Sequence, residues 1–203
     1  MVAKPKLAER RRLETRDMIL TGAASVFREH GYQDATVEEI ANQAGVSRGT
    51  FYLHFKDKAE AAVTIGTRHL SGTNALFKQL DNMESPSIAD VENWLHELTA
   101  HFRSELVALE VGIKASISSN DFAVEDKRIQ FQQALVFERH LSGLQSTARE
   151  LAIVRLSLLQ SQTQIYMYNL LVRGVTPAPP TVMATALAQI WLAELRGLNA
   201  LTS

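Results

Sequence analysis

The chain contains no cysteine in its 203 residues, which excludes disulfides, thiolate metal sites and a cysteine nucleophile and fits a reducing cytoplasm. Long apolar runs are also missing. The basic opening MVAKPKLAERRR leads into no hydrophobic stretch of signal-peptide type, so a cytoplasmic location is expected. The longest uncharged segment, 174–193, is broken by Pro177, Pro179 and Pro180 and interrupted by Gln189, which rules out a membrane-spanning helix there. No phosphate-cradling G-x-x-x-x-G-K-[ST], no G-x-S-x-G elbow and no G-x-G-x-x-G fingerprint occurs. None of the six histidines follows a glutamate at the spacing of a di-iron bundle. His96 and His101 are five apart, about 140° around a helix, so they do not close on one metal. An enzyme is therefore not expected, and no cofactor is called for.

An excess of charge is absent too: the net value is -1, which by itself says nothing about nucleic acid. Its distribution is uneven. Residues 1–16 hold Lys4, Lys6, Arg10, Arg11, Arg12 and Arg16 against Glu9 and Glu14, a basic arm or a solvated terminus.

Strand-like alternation with hairpin signals is lacking, and nearly every segment between breaks has helical period, so an all-α fold is predicted. From Thr15, the residues Ile19, Ala23, Val26 and Phe27 form one apolar stripe that closes at His30, with Gly31 set to take a left-handed cap. Thr36 and Glu39 make a capping box and open a second helix, with Val37, Ile40, Ala41 and Ala44 facing inward and Gly45 as its stop. Ser47 caps a third, short helix to about Phe55. Only Gly45, Val46 and Ser47 separate the two, the spacing of a helix-turn-helix.

In such a motif the second helix enters the major groove. Arg48 can then bond guanine in bidentate fashion, and Thr50 offers a hydroxyl and a methyl. Gly49 lets backbone and DNA come close. Phe51 and Phe55 read as anchors of this helix. Thr36, Ser47, Tyr52, His54 and Lys58 supply donors for phosphate around it, with capping alone the alternative for Thr36 and Ser47 and a solvated surface site for His54. Lys56 reads as a charged loop residue.

These residues carry a resemblance. His30-Gly31-Tyr32, then Ala35 through Ala41, then Ala44 through Lys58 resemble the head of the tetracycline-repressor (TetR) family, with the match spanning roughly residues 15–60. The resemblance implies that Arg48, Gly49 and Thr50 face bases, that Tyr52 and His54 sit on the DNA backbone, and that Lys58 caps the contact from the start of helix four. Ala61 departs from the leucine common there. The resemblance further implies a ligand-responsive repressor, binding a near-palindromic double-stranded DNA operator as a homodimer. A helical adaptor that binds protein through Phe51, Tyr52 and Phe55, without DNA, is the alternative.

The expected domains are 1–60, arm and head, and 61–203, an effector-binding and dimerisation body. Helix four is read as one element from Asp57 to Leu80, with further helices at 88–106, 107–117, 124–144, 147–173 and 181–199. Leu151, Val154, Leu158, Ile165, Tyr168 and Val172, with Val182, Ala186, Ile190, Leu195 and Leu198, follow helical spacing on the last two helices. They are read as a four-helix dimer interface, with intramolecular core the alternative. Trp94, Leu98, Phe102, Phe122, Phe131, Phe137 and Tyr166 could wall a cavity for a hydrophobic or amphipathic small molecule, with His101, His140 and Gln162 as its polar groups.

Overall fold

The structure, a computed structural model, describes residues 7–68, 70–118 and 120–202. Among these residues every regular element is a helix: α1 (Leu7–Asp34), α2 (Val37–Gln43), α3 (Arg48–His54), α4 (Lys58–Gly66), α5 (Leu70–Asp81), α6 (Ile88–Ser104), α7 (Leu106–Ser118), α8 (Asn120–Ala134), α9 (Glu138–Leu141), α10 (Ser146–Tyr168) with a π-helical stretch (Asn169–Arg173), and α11 (Pro180–Thr202). None of the described helices is long and apolar enough to cross a membrane. The chain forms two compact units, Met1–Thr67 with Glu110–Ala123 and Arg68–Leu109 with Val124–Ser203. Lys4 and Lys6 of the basic arm lie outside the described residues.

In the first unit α1 begins at Leu7, well before the Thr15 start expected from its apolar stripe. The added turns are polar, built from good helix formers and an Arg10–Glu14 pair four residues apart at 3.0 Å. Gly31 has the expected positive φ of 81°, but with ψ at 164° it is extended, in a region essentially reserved for glycine, and not the left-handed cap. Ile19 and Ala23 from α1, Ile40 from α2, Phe51 and Phe55 from α3, and Ala61 and Ile65 from α4 bury one common core. Gly22 sets how closely α1 meets the end of α2. A Cβ there would lie 2.9 Å from the Ala44 nitrogen and 3.1 Å from the Ile40 oxygen, so no larger residue fits without moving backbone.

The expected fourth helix is two helices. It breaks after Gly66, where Thr67 turns its hydroxyl back onto the Val63 and Thr64 carbonyls and takes φ/ψ of −92°/−3°. The expected 124–144 helix also divides. Leu135, Val136 and Phe137 donate three residues back, to Gln132, Gln133 and Ala134, a tightening that ends α8 and carries Phe137 into the core. The 147–173 helix relaxes into the π stretch, and Gly174, left-handed at φ 65° and ψ 23°, ends it.

Aromatic rings centre the second unit. Trp191 of α11 stacks on Phe137 at 5.7 Å and meets Trp94 of α6 edge-on at 5.3 Å, while Phe77 of α5 contacts all three. Their polar edges are satisfied: Trp94 Nε1 donates to the Leu76 carbonyl and Trp191 Nε1 to the Thr163 hydroxyl. Beside them, wholly buried Asp81 accepts from His140 Nδ1 at 2.8 Å and from the Arg139 and His140 backbone N–H groups. The Arg139 guanidinium caps the carbonyls of Asp81, Met83 and Glu84 that end α5.

Candidate nucleic-acid interface

The turn between α2 and α3 follows from three residues. Val46 N–H donates to the Ala41 carbonyl and Gly45 N–H to that of Asn42, the paired bonds of a Schellman cap, for which Gly45 supplies a φ of 67°. The Ser47 hydroxyl accepts from the Thr50 N–H at 3.0 Å and starts α3 at once. At the other end of α2, Thr36 and Glu39 form the predicted reciprocal box, with bonds of 2.8 and 3.2 Å. These bonds to Thr36 also hold the Glu39 carboxyl below the usual carboxylate range. Both caps are thus occupied within the chain, and the Thr50 hydroxyl pairs with that of Ser47 at 2.8 Å.

The inner face of α3 is closed by Phe51 and Phe55, whose rings lie 5.7 Å apart. Its outer face is open. Arg48, Gly49 and Tyr52 are exposed, and the Arg48 guanidinium sits 5.7 Å over the Tyr52 ring, so the two share an edge as their spacing predicts. The neighbouring Tyr52 and, less strongly, the Glu38 carboxylate raise the Arg48 pKa and hold its charge. Among the described residues a Cβ added at Gly49 would meet only the Ser47 hydroxyl, at 3.7 Å, and none of them requires glycine there.

Lys58 differs from its sequence reading. Its ammonium donates to the carbonyls of Tyr32, Gln33 and Ala35 at 2.8–2.9 Å and lies 5.0 Å from the Tyr32 ring centre. All three N–H bonds are spent on backbone carbonyls between the Gly31 kink and the start of α2, so Lys58 is a clamp of the head rather than a free phosphate donor. His54 is half-buried. Burial, then Arg12 and Arg16, lower its pKa, and its Nδ1 has no partner among the described residues. Arg16 covers the Phe55 ring at 4.6 Å and reaches the Thr64 hydroxyl.

The profile described as bacterial regulatory proteins, tetR family, matches residues 19–61, from mid-α1 into α4. The HTH-type transcriptional repressor BepR of Brucella suis is 34% identical over 128 residues, 62% of this chain and 57% of that protein. Residues 19–61 of this chain are thus a tetR-family head. Likeness is strongest in the tetR head: the HTH-type regulator SrpR of Pseudomonas putida is 45% identical over 58 residues, 28% of this chain and 27% of its own length. The chain thus spans little more than half of one of these curated relatives and about a quarter of the other. The fold extends further than the sequence likeness. SmeT, repressor of a Stenotrophomonas maltophilia multidrug efflux pump, shares it at TM-score 0.58 and 17% identity over 90% of this chain and 89% of that one. So does the tetR-family regulator PfmR of Thermus thermophilus, at 0.55 and 19% over 86% and 97%.

Within the tetR head the sequence reading passed over Leu53. It is 76% exposed on α3 and stands four residues after Gly49, hence on the same edge. The signal was present, since Leu53 falls off the stripe of Phe51 and Phe55. In the second unit the expected ligand wall needs correction. Trp94, Leu98 and Phe137 are buried so completely, at 1% exposure or less, that no water-sized space borders them. They are core. Gln162 is exposed, Phe131 is 42% exposed, and His140 is committed to Asp81. The Tyr166 hydroxyl reaches the Pro180 carbonyl at 3.4 Å. The side chain of Phe122 lies outside the described residues. Among the described residues of the expected ligand wall, Phe102 lines an internal cavity formed with Thr73, Phe77, Gln130, Gln133, Gln160, Thr163 and Gln164.

Proposed function

We propose that the chain is a transcriptional repressor that binds double-stranded DNA as a homodimer and releases it in response to a small molecule. The observation that carries this is the division of α3: two phenylalanines buried on one side, and on the other Arg48, Gly49, Tyr52 and Leu53 facing outward. A glycine in the first turn of a helix costs stability relative to alanine, and no contact among the described residues explains it. Close approach of a duplex does. Arg48 then reads a guanine edge, Leu53 and the Thr50 methyl meet thymine methyls, and Tyr52 with the helix N-termini holds phosphate. Thr36 and Ser47 serve first as caps, and His54 contributes a neutral imidazole at the rim. The adaptor alternative loses support, because two of its three aromatic contacts, Phe51 and Phe55, are inside the head.

Dimerisation rests on the last two long helices. Leu151, Val154, Leu158 and Ile165 of α10 and Val182 and Ile190 of α11 are exposed, whereas Leu195 and Leu198 of the predicted stripe belong to the core. Six large apolar side chains on adjoining helices form a patch of the kind that a second copy covers. Two heads on one twofold axis read a near-palindrome. Two rings of the wall that suggested a hydrophobic or amphipathic ligand, Trp94 and Phe137, are packed into the aromatic core with Phe77 and Trp191.

Selection of bound fragments from a genomic DNA pool, followed by titration against the recovered site at several salt concentrations, tests the reading. The expected result is one near-palindromic site with affinity falling about a thousandfold or more between 50 and 200 mM salt. Recovery of no preferred site, with binding indifferent to salt, overturns it.

A further inference from the structure

The second unit encloses a polar gap that its own side chains do not fill. Gln130 and Gln133 of α8, Gln160, Thr163 and Gln164 of α10, and Thr73 of α5 line a cavity whose remaining walls are the rings of Phe77 and Phe102. No charged side chain is among the described residues that line it; Lys127 donates to Gln130 Oε1 at 2.9 Å. Three of the four glutamines have partners: Gln133 Nε2 donates to Asn74 Oδ1 at 3.0 Å, and Gln130 Nε2 to Gln164 Oε1 at 3.3 Å. The Thr163 hydroxyl is used twice, by the Leu159 carbonyl and by Trp191.

Gln160 is the exception. It is 4% exposed, and neither its Oε1 nor its Nε2 has a hydrogen-bond partner among the described residues. A buried amide left wholly unpaired lowers stability, and a hydrophobic residue at the same place would not. It stands on the buried stripe of α10 that runs Leu156, Gln160, Thr163, Met167, where the spacing otherwise selects core. The free volume is about 10 Å³, room for one water and no more, so a ligand enters by displacing a wall. The Gln130–Gln164 bond, at 3.3 Å, is longer than that between Gln133 and Asn74, and Gln164 is half-buried.

We propose that this cavity is the effector site and that Gln160 selects a compact, planar, uncharged molecule carrying a hydrogen-bond donor next to an acceptor, an amide or lactam edge. Such an edge pairs with the Gln160 carbonyl and N–H at once, in the reciprocal geometry of two amides, while the rings of Phe77 and Phe102 face the rest of the molecule. A carboxylate would bring a charge that no cation lining the cavity neutralises, and an alkane would leave Gln160 unpaired as before. This deepens the ligand-responsive reading above and rests on it for the regulatory consequence only. The binding test uses no DNA, so failure of the site and failure of DNA binding are read separately.

The probes are 2-pyrrolidinone, a small lactam, and cyclopentanone, the same ring without the N–H. Thermal unfolding of the full chain is followed with each at millimolar concentration, together with the side-chain amide signals in a 15N–1H spectrum. The lactam at ten times its Kd is expected to raise the unfolding midpoint by about 3 °C and to shift the Gln160 amide pair, with cyclopentanone giving less than half of either effect. Gln160→Leu, or Gln160→Met should the first fold poorly, is expected to melt about 2–4 °C above the natural chain without ligand and to lose the lactam response. Equal shifts with the ketone would make the site an apolar one and overturn the proposal. So would a lactam response that survives in the variant, or variants less stable than the natural chain, which would mean that a resident water already satisfies Gln160.

Discussion

The two units treat their polar groups in opposite ways. In the head both helix caps around the turn and the Lys58 ammonium close on the chain itself: Thr36 with Glu39, Ser47 with Thr50, Lys58 with three carbonyls. What remains for a partner lies outside, on α3. The second unit is settled outside the gap by rings and by the Asp81–His140 pair, yet it keeps an unpaired amide at Gln160 and an apolar stripe in water. The difference teaches where each unit has reserved most of its unspent interactions: the head on the outer face of α3, the second unit on one apolar face and at an internal side chain, Gln160, of which both polar atoms are unpaired among the described residues.

The strongest test of that contrast is Asp81. Asp81→Ala leaves the His140 ring and two backbone N–H groups without an acceptor in a buried place, and a loss of about 3–5 kcal/mol is expected. Burial pushes the Asp81 carboxyl up, but the bonds from His140 and from the Arg139 and His140 N–H groups outweigh it and hold the carboxyl below its ordinary value. A depressed carboxylate contributes stability that is present above the unfolded pKa and lost as pH falls through the folded one. The gap in unfolding midpoint between the natural chain and Asp81→Ala should therefore be widest near neutrality and narrow below about pH 4. A gap that stays constant from pH 7 to pH 3 would remove the charge from this account.

Next is Lys58. Lys58→Met keeps the stem and deletes three bonds to carbonyls, for an expected loss of about 2–3 kcal/mol in chemical denaturation. The dependence of DNA affinity on salt should keep its slope, because a clamped ammonium releases no counterion. A shallower slope with unchanged stability would return Lys58 to the phosphate role that the sequence suggested.

Arg48→Ala tests the outer face. It should cost about 1–3 kcal/mol on the selected site and much less on scrambled duplex, measured by titration, with helicity unchanged by circular dichroism. Equal losses on both would make Arg48 a phosphate contact and pass base reading to Thr50 and Leu53. Gly49→Ala is the smallest effect and the sharpest in sign. The free head should gain about 0.5–1 kcal/mol, because alanine suits the helix and the space is empty, while DNA affinity falls. A substitution that leaves DNA affinity untouched would leave the glycine without a purpose at the interface.

What could be read from the sequence was what is local in it. Thr36 with Glu39, Gly45 and Ser47 fix the helix-turn-helix within a few residues of one another, so spacing sufficed. Lys58 was misread because the carbonyls that hold it lie 23 to 26 residues earlier, beyond any helical period. The aromatic residues of the second unit were identifiable as apolar, but whether rings line a hole or fill it depends on pairing across α5, α6, α9 and α11, which composition does not encode. Gln160 carries a signal, a polar residue on the buried spacing between Leu156 and Thr163, whereas Gln162, two residues on, is turned to solvent by the same helix. The break after Gly66 rests on a threonine folding its hydroxyl back onto its own turn, a choice that side-chain type permits without requiring.

The exposed stripe of α10 and α11 has a consequence for quantity. If a second copy covers Leu158 and Ile190, the folded state is bound to mass action, and the unfolding midpoint rises with protein concentration instead of being a constant of the chain. Below the dissociation constant for dimerisation, halving the number of chains reduces the paired form about fourfold. The number of copies a cell holds then acts as a steep control on how many operators are occupied, before any ligand enters.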